Sequence, residues 1–345
     1  MDTGDRTGMT RRATIEDVAK LADVHKATVS RALNARTEHH VGRETVERIR
    51  AAADKLGYVP NAMARGLRTA NSMTIGVIIP DLTNPLFPPV VRGIEDFLQP
   101  RGYTALLANT DDNDATERLA ISSLLARRVD GLLVASGHRD FTALAEAREA
   151  GIPVVLLNRD AGSLAFPLVT GDDASGIEEA VSHLVGLGHR DILHIAGPPR
   201  LSTSTVRKKA FEAACAASPG VQYRVLEVES LTIDSGYRAM EREFEAGATL
   251  PTAIVGGNDL LALGVLRWLR SHNLSCPGDV SVVGFNDMLF AGDFTPPLTT
   301  VRVPTLQMGA DAAKMLLGIM ETGEEPADPL RLPVSLVVRG STGPA

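Results

Sequence analysis

The sequence contains few cysteines and no long apolar segment. Cys215 and Cys276 are its two cysteines, and they lie far apart, outside any C-x-x-C spacing. A disulfide framework or a thiolate metal site is therefore not expected, and a reducing cytoplasm fits this composition. No apolar run approaches the roughly 18 residues that span a bilayer, and the start MDTGDRTGMTRRA lacks the apolar region of a secretory signal. We expect a cytoplasmic protein without a membrane partner, whose translation starts at Met1 or Met9.

Motifs for catalysis and phosphate binding are also missing. The sequence has no G-x-x-x-x-G-K-[ST] and no G-x-S-x-G. The acidic stretch DDNDATER (111–118) lacks the glycine and the terminal glutamate of a calcium-binding loop, so Asp114 is interpreted as a helix cap. His39 and His40 are adjacent but have no further ligand at metal-binding spacing. Since no nucleophile is accompanied by a suitable base, we expect a protein that is not an enzyme and has no metal ion or cofactor.

The charge is divided unevenly along the chain. The 345 residues are 44% hydrophobic and 22% charged, as in an ordinary globular protein of two or three domains. The net charge is −7, yet the first 70 residues carry 13 Lys and Arg against 9 Asp and Glu, a net +4. The remaining residues carry 22 against 33, a net −11. A basic head on an acidic chain is compatible with nucleic-acid binding, because local charge governs that contact.

Residues 14–57 are predicted to be helical, and TIEDVAKLADVHKATVSRALN (14–34) reads as two short helices joined by a tight turn. Thr14 and Asp17 stand three residues apart before an apolar stripe, as in a capping box. The apolar spacing gives each helix one buried face, and a third helix, RETVERIRAAADKL (43–56), closes a small core. The expected core residues are Ile15, Val18, Ala19, Ala22, Val24, Val29, Leu33, Val46, Ile49, Ala52 and Leu56.

The outward face of the second helix is polar. Lys26 and Ala27 lie at its start, where the recognition helix of a helix-turn-helix domain meets base edges in the major groove. Arg31 lies one turn further along and is expected to reach a guanine edge or a phosphate. Asn34 also points outward, and Thr28 and Ser30 flank this face. The alternative is a small helical bundle with a solvated polar face.

From residue 74 onward, apolar runs alternate with amphipathic segments. The first series of predicted strands is TIGVII (74–79), YTALLA (103–108), GLLVA (131–135) and PVVLL (153–157). The second series is DILHIA (191–196), YRVLEV (223–228), TAIV (252–255) and VSVVG (280–284). The predicted helices include residues 86–100, 114–128, 173–187, 204–217, 258–272 and 305–321. This alternation predicts an α/β fold with two lobes of doubly wound parallel sheet and a ligand cleft at the carboxyl ends of the strands.

The segments DVA…TVSRALN and LGYVPN resemble the amino-terminal motif of the LacI/GalR family of bacterial transcriptional regulators. The resemblance to this family covers nearly the whole chain. It implies a disordered start at residues 1–12 and a helix-turn-helix domain at residues 13–58. Two residues depart from the motif: His25 stands where the family usually has serine, and Asp23 stands where glycine or asparagine is usual. His25 is still expected to contact a phosphate. The candidate DNA-contacting residues of this domain are Thr14, His25, Lys26, Ala27, Thr28, Ser30, Arg31 and Asn34.

Residues 59–72 resemble the family's hinge, a helix that orders on operator DNA beside its dimer mate in the minor groove. Asn61 is a candidate helix cap, and Ala64 allows two hinge helices to approach closely. Leu67 matches the apolar wedge that parts a central base step and bends the duplex, and Arg65 and Arg68 are expected to meet phosphates. The alternative is a flexible linker whose leucine docks on its neighbour. Replacing Leu67 by alanine is expected to lower operator affinity well over tenfold and to leave ligand binding intact.

Residues 73–345 resemble the family's effector domain, which has the periplasmic-binding-protein fold. The match rests on NPLF, RRVDGLL, GHRDILHIAGP, GGNDLLALGVL, DVSVVGFND and PPLTTV. It implies an N-terminal lobe of about residues 73–169 and 304–332 and a C-terminal lobe of about 170–303 and 333–341. The crossings between the lobes are expected near 169–170, 300–303 and 332–333. The candidate effector-binding residues are Asp81, Phe87, Asn158, Arg159, Arg207, Asn258 and Asn286.

The effector is expected to be a sugar, a sugar phosphate or a sugar acid. Phe87 would stack on a sugar ring, and Asn258 and Asn286 match positions that bond ligand hydroxyls. Asn286 stands where several sugar-binding members have aspartate, so arginines and amides dominate the candidate site. Because arginine binds carboxylate and phosphate in a bidentate manner, an acidic effector is one hypothesis. Arg159 fits neutral-sugar members equally well.

The resemblance predicts a cytoplasmic regulator, associated with the nucleoid when bound to its operator. We expect a homodimer that represses genes of carbohydrate metabolism by binding a pseudo-palindromic operator, with a small-molecule effector controlling its affinity. A transport solute-binding protein is one alternative, but it would need a secretory signal and no helical head. A cytoplasmic α/β enzyme is the other, and it would need catalytic groups in the cleft. Fold alone does not decide among them.

Overall fold

The computed structural model of the chain describes residues 13–33, 37–58, 71–136, 143–162 and 165–345. The chain divides between Ser72 and Met73 into two compact units. The predicted disordered start at residues 1–12 lies outside the described residues. So do the candidate DNA-contacting residues Asn34, Asn61, Ala64, Arg65, Leu67 and Arg68. The hinge expected at residues 59–72, of which residues 59–70 lie outside the described residues, therefore stays a prediction.

The described residues of the first unit form three α-helices: α1 at Ile15–Leu21, α2 at Lys26–Ala32 and α3 at Arg43–Leu56. His39 and His40 lie in a short 3-10 turn, Glu38–His40, ahead of α3. The helices enclose a small core, whose buried members are Val18, Ala19, Ala22, Val29, Ala32, Val46, Ile49, Ala52 and Ala53. Ile15, Val24 and Leu33 pack against it in a half-buried state.

One predicted core residue of the first unit is wrong. Leu56 is 37% exposed, whereas Ala53, three residues earlier and not among the expected core residues, is 5% exposed. Leu56 is the last residue of α3, directly before Gly57 at φ +60, which ends the helix. Its position past the last buried turn of α3 leaves the side chain beyond the part of the helix that the core covers.

The capping box predicted at the start of α1 is confirmed. The backbone N–H of Asp17 donates to Thr14 Oγ1 at 3.3 Å, and the backbone N–H of Thr14 donates to Asp17 Oδ2 at 2.9 Å. The side chain of each residue thus accepts a hydrogen bond from the backbone N–H of the other, as a capping box requires.

The second unit contains two sheets and their covering helices. Its strands are β1 Thr74–Ile79, β2 Thr104–Asn109, β3 Gly131–Val134, β4 Val154–Leu157, β5 Leu168–Gly171, β6 Asp191–Ala196, β7 Gln222–Glu227, β8 Ala253–Gly256, β9 Ser281–Asn286, β10 Thr299–Arg302, β11 Leu330–Leu332 and β12 Ser335–Val337. Its α-helices are α4 Phe87–Leu98, α5 Asp114–Ala126, α6 Ala143–Glu149, α7 Asp173–Gly186, α8 Ser202–Ala216, α9 Ile233–Glu245, α10 Asp259–Ser271 and α11 Thr305–Thr322.

Each sheet has six strands and forms the centre of one lobe. The strand order is β11-β5-β4-β3-β1-β2 in the first lobe and β12-β10-β9-β8-β6-β7 in the second. The strand pairs are parallel apart from β10 with β12, which is antiparallel. The eight predicted strands are all present within a residue or two at each end. The edge and crossover strands β5, β10, β11 and β12, and the helices α6 and α9, were not among the predicted elements.

The chain passes from one lobe to the other between β5 and α7, between β10 and α11, and between β11 and β12. Strand β5 runs on to Gly171 and pairs with β4 and β11 in the first sheet. The first crossing therefore lies two residues beyond the expected 169–170. In the first lobe, helices α4 and α11 pack closely, because Gly93 and Gly309 have no side chain. A Cβ at either position would meet the backbone of the other helix.

The helix α5 is capped one residue earlier than predicted. The side chain that caps α5 belongs to Asn113, which accepts from the backbone N–H groups of Ala115 and Thr116 at 3.0 Å, so the predicted cap at Asp114 is wrong by one residue. Among the described residues, no three His, Cys, Asp or Glu side chains come together in a group that could hold a metal ion. In the same part of the chain, no helix combines the length and the apolar character of a membrane-spanning segment.

Candidate functional site

The first candidate site is the outward face of α2. Val29 and Ala32 are fully buried in the three-helix core, which fixes the rotation of the helix. As a result Lys26 and Arg31 are exposed, while Ala27, Thr28 and Ser30 are half-buried at the edge of this face. The structure thus brings the predicted base-contacting residues onto one surface of a short helix.

Local geometry explains one departure from the family motif, His25, and the family's usual choice of residue at the other, Asp23. His25 caps α2, because its Nδ1 accepts a hydrogen bond from the backbone N–H of Ala27 at 3.2 Å. The histidine therefore performs the capping task that serine usually performs. Asp23 has a left-handed backbone with φ +50, a conformation that glycine and asparagine adopt most readily. Both residues are exposed beside the start of α2.

Sequence reasoning missed Glu16, which lies beside the same surface. Its carboxylate stands 3.7 Å from Lys26 Nζ, and the two side chains are 65% and 60% exposed. Glu16 is in the first turn of α1, next to the outward face of α2, so its charge lies near the lysine that is predicted to contact bases. The motif gave no reason to single it out, since a glutamate in a first helical turn is an ordinary helix-start residue.

The second candidate site lies where the carboxyl ends of the two sheets' strands face each other. Asp81 follows β1, and its Oδ1 accepts from the backbone N–H and the hydroxyl of Thr83 at 2.8 and 2.7 Å. Phe87 is 1% exposed and belongs to the hydrophobic core. In this structure its ring packs against protein, so stacking on a sugar would require the ring to be uncovered. Its role as a stacking residue stays a prediction.

Asn158 and Arg159 follow β4 and are buried. Asn158 has φ +62, and its backbone carbonyl accepts from the Thr170 hydroxyl at 3.1 Å. Arg159 is 5% exposed, and its Nη1 donates to Asp112 Oδ1 at 2.7 Å. Its buried Nε has no hydrogen-bond partner. One donor of this arginine therefore remains for a ligand.

Arg207 is held by an acid of the same lobe. Its Nε and Nη2 donate to Asp173 Oδ2 and Oδ1, each at 3.1 Å, and its Nη1 donates to the Gly257 carbonyl at 2.7 Å. The guanidinium also lies 3.7 Å from the centroid of the Phe285 ring. Both members of the ion pair are about 5% exposed, so each charge depends on the other.

Asn258 and Asn286 differ in whether their side-chain oxygens remain available to a ligand. Asn258 caps α10: its Oδ1 accepts from the backbone N–H of Leu261 at 2.8 Å, and its Nδ2 donates to the Leu231 carbonyl at 3.4 Å. Asn286 ends β9 at φ +117, and its buried Oδ1 has no hydrogen-bond partner. Of the two, Asn286 retains an unused acceptor, as a ligand hydroxyl requires.

Two further carboxyl groups are buried beside these residues. Burial raises the pKa of Glu117 to about 7, although a hydrogen bond from the Ser136 hydroxyl at 2.7 Å opposes the rise. Burial likewise raises the pKa of Asp259 to about 7, against hydrogen bonds from the Met288 backbone and the Thr300 hydroxyl. Neither residue was among the predicted site residues. Because both carboxyl groups are fully buried, they support the structure of the cleft and do not line its surface.

The lobes are joined directly at this edge. Arg200, after β6 of the second lobe, donates through Nη2 to Asp112 Oδ2 at 3.2 Å. The backbone N–H of Asp160, in the first lobe, donates to Ser202 Oγ of the second at 2.8 Å. Sequence reasoning singled out neither Asp112 nor Arg200 as a site residue. A contact between residues 88 positions apart leaves no spacing signal in the sequence.

The arrangement suits binding better than catalysis. Arg159 and Arg207 are each matched by a carboxylate, and among the candidate residues the buried polar atoms without a hydrogen-bond partner are Arg159 Nε and Asn286 Oδ1. Isolated donors and acceptors of this kind recognise hydroxyl groups.

Comparison with known proteins identifies relatives of both units of the chain. A family model described as bacterial regulatory proteins, lacI family, matches residues 14–61, and a periplasmic binding protein-like domain matches residues 181–342. The catabolite control protein A of Priestia megaterium is 33% identical over 333 residues, which cover 95% of this chain and 99% of the relative. The ribose operon repressor of Bacillus subtilis is 33% identical over 331 residues, covering 96% and 98%.

A crystal structure of the Lac repressor dimer bound to operator and an anti-inducer superimposes with a TM-score of 0.85 at 29% identity, covering 96% of this chain and all of that one. The predicted fold class, a helical head followed by two parallel-sheet lobes, is thereby confirmed. The two relatives are named a control protein and a repressor, and this protein is a regulator of that kind rather than an enzyme. The chain belongs to the LacI family of bacterial regulatory proteins.

Proposed function

We propose that this protein is a transcriptional repressor whose helix-turn-helix heads bind an operator as a pair, under the control of a sugar bound between the two lobes. The observation that carries the proposal is the outward face of α2, where Lys26 and Arg31 are exposed on a helix whose other face is buried in its own core. A recognition helix needs this combination, because its rotation must be fixed while its cations stay free for base edges.

The pairing of heads is supported by two considerations. A single short recognition helix reads few base pairs, whereas two heads related by a two-fold axis read a palindrome. The second lobe also exposes Leu289 and Phe290, which are 67% and 63% exposed. Adjacent large apolar side chains on a surface are suited to a protein partner, and we assign that partner as a second copy of the chain. The Lac repressor, a relative in structure, was crystallised as a dimer on its operator.

The sugar effector is supported by the polar atoms of the cleft. The Asn286 acceptor and the Arg159 donor are buried without protein partners, which is costly unless a ligand supplies the missing hydrogen bonds. The Bacillus subtilis relative is named a ribose operon repressor. A ligand that bonds both lobes favours one angle between them and thereby changes the affinity for DNA.

Selection of binding sites from a random DNA library tests the proposal. The full chain is expected to enrich one motif with two-fold symmetry. Lys26→Ala should change or relax the base preference within each half of that motif, since Lys26 lies where base edges are read. Lys55→Ala is the matched control, because it removes an exposed cation of the same unit at the far end of α3 and should leave the motif unchanged. A library without any enriched sequence would overturn the proposal.

A further inference from the structure

We propose that Asp112 is a specificity-determining residue of the cleft: its carboxylate is the fixed counter-ion of Arg159 and Arg200, so that the cleft takes neutral hydroxyl-bearing ligands and rejects anionic ones. The same carboxylate ties the first lobe to the second. The inference rests on the proposed function in that the cleft is taken as the effector site.

The carboxylate of Asp112 is positioned by its backbone and shared between two arginines. Asp112 has φ +54, and its backbone N–H donates to the Pro80 carbonyl at 3.1 Å, in the turn between β2 and α5. Its Oδ1 accepts from Arg159 Nη1 at 2.7 Å and its Oδ2 from Arg200 Nη2 at 3.2 Å. Each oxygen thus serves a different lobe.

Burial makes the pair with Arg159 obligatory. Arg159 is 5% exposed, and the Asp112 side chain is 28% exposed. A guanidinium buried to this degree needs a compensating negative charge, and Asp112 supplies it. The buried arginine of the other lobe, Arg207, is matched by Asp173 in the same way. The cleft therefore carries no unmatched buried cation among the candidate residues.

Charge matching decides which ligands fit. A neutral hydroxyl can accept a hydrogen bond from the unused Nε of Arg159 while Asp112 keeps its place. A phosphate or carboxylate at the same position would stand beside the Asp112 carboxylate, and like charges at close range repel. An anion could bind there only by displacing Asp112 from Arg159, which would also break the contact with Arg200. The acidic effector considered from the arginines alone is thus disfavoured.

Inorganic phosphate is a suitable probe, because it needs no knowledge of the effector. The melting temperature of the full chain is measured against phosphate concentration at constant ionic strength, with chloride as the balancing anion. Asp112→Asn keeps the shape of the side chain and removes its charge. Asp96→Asn is the matched control, since Asp96 pairs with Arg92 on one exposed turn of α4 at 2.9 Å, within a single lobe.

Asp112→Asn is expected to bind phosphate at least about tenfold more tightly than the wild type. Without the carboxylate, the partly buried guanidinium groups can form charge-assisted hydrogen bonds to the anion. Asp96→Asn should match the wild type. Equal phosphate affinity in Asp112→Asn and the wild type would overturn the inference. A chain that selects no DNA motif, yet gains phosphate binding through Asp112→Asn, would contradict the proposed function and leave this inference standing.

The tie between the lobes is tested by a double-mutant cycle in melting temperature. Asp112→Asn and Arg200→Gln should together cost less than the sum of the two single changes, because each removes the same contact. Asp112→Asn combined with Lys208→Gln is the control, since Lys208 pairs with Glu227 inside the second lobe at 2.8 Å and should give additive effects. Additive effects for Asp112 and Arg200 would contradict the tie.

Discussion

The DNA-binding head and the ligand cleft both contain pairs of oppositely charged side chains, but these pairs are exposed in the head and buried in the cleft. In the head, Lys26 and Glu16 approach at 3.7 Å with more than half of each side chain exposed. In the cleft, Arg207 and Asp173 form a bidentate pair with about 5% exposure. Exposed pairs contribute little to folding and leave their charges available to a partner, whereas buried pairs are bound to each other and maintain the fold. Location, rather than residue type, decides whether an arginine or lysine contacts a partner or supports the framework.

Breaking the buried pair should have the largest effect. Arg207→Leu leaves the Asp173 carboxylate buried without its partner, and we expect a loss of about 3–5 kcal/mol in the free energy of unfolding. Urea unfolding followed by the fluorescence of Trp268, the single tryptophan, reports on the lobe that holds the pair. Lys26→Ala is the exposed counterpart and should change the stability by less than about 0.5 kcal/mol. Equal losses in the two variants would remove the contrast between the sites.

The buried Glu117 should make the stability of the second unit depend on pH. Its pKa of about 7 lies above its ordinary value of 4.5. The folded chain therefore keeps a proton that the unfolded chain has lost, and stability should fall as the pH rises from about 4.5 to 7. The upper limit of the loss is roughly 3 kcal/mol, at about 1.4 kcal/mol per unit.

Glu117→Gln should remove the part of this slope that Glu117 contributes and leave the part that the buried Asp259 contributes, so the variant should be relatively more stable at pH 8 than at pH 5. The charged groups that act on Glu117 are Asp114, Arg159 and Asp112, in decreasing order of effect, and all three remain in the variant. Urea unfolding at a series of pH values measures the slope. The prediction fails if the two chains differ by the same free energy at pH 5 and pH 8.

The head should respond most to its caps, because its core is small. Thr14→Ala removes the acceptor for the Asp17 N–H and is expected to cost about 1 kcal/mol of local stability. Amide hydrogen exchange in α1 of the full chain measures the loss. Thr14→Ser keeps the hydroxyl and should exchange at nearly the wild-type rate; equally fast exchange in both variants would contradict the capping role.

The smallest effect on folding is expected from Glu16→Gln. An exposed pair with a contact of 3.7 Å contributes no more than about 0.5 kcal/mol to stability. Since the lost charge lies beside Lys26, DNA binding should nevertheless strengthen by about twofold at low salt, and this gain should vanish at high salt. Titration of labelled DNA at two salt concentrations measures both. Weaker DNA binding by Glu16→Gln would show that the carboxylate contacts a base instead.

Elements with strong local signals were predictable. The capping box at Thr14 and Asp17, the span of α3 and the strand β1 follow from spacing that a few neighbouring residues determine. The strands β11 and β12 have three residues each and were missed, because such short runs have no periodicity and exist only through their pairing partners.

The site was predictable as a set of positions, but its contacts were not. The family resemblance pointed to Arg159 and Arg207, yet the identity of their partners, Asp112 and Asp173, depends on how loops and helices meet in three dimensions. Those partners change what the arginines indicate about the ligand, since a cation that is already paired with a carboxylate no longer favours an anionic ligand. Leu56 shows the same limit on a smaller scale, because burial at the end of a helix depends on what the neighbouring helices cover.

The most direct test of the account is the affinity of the full chain for its selected DNA, measured with and without a sugar that raises its melting temperature. A cleft that controls the heads predicts a change in affinity of about 5-fold to 150-fold, the usual range of allosteric coupling. An identical affinity with the cleft empty and saturated would contradict the central claim.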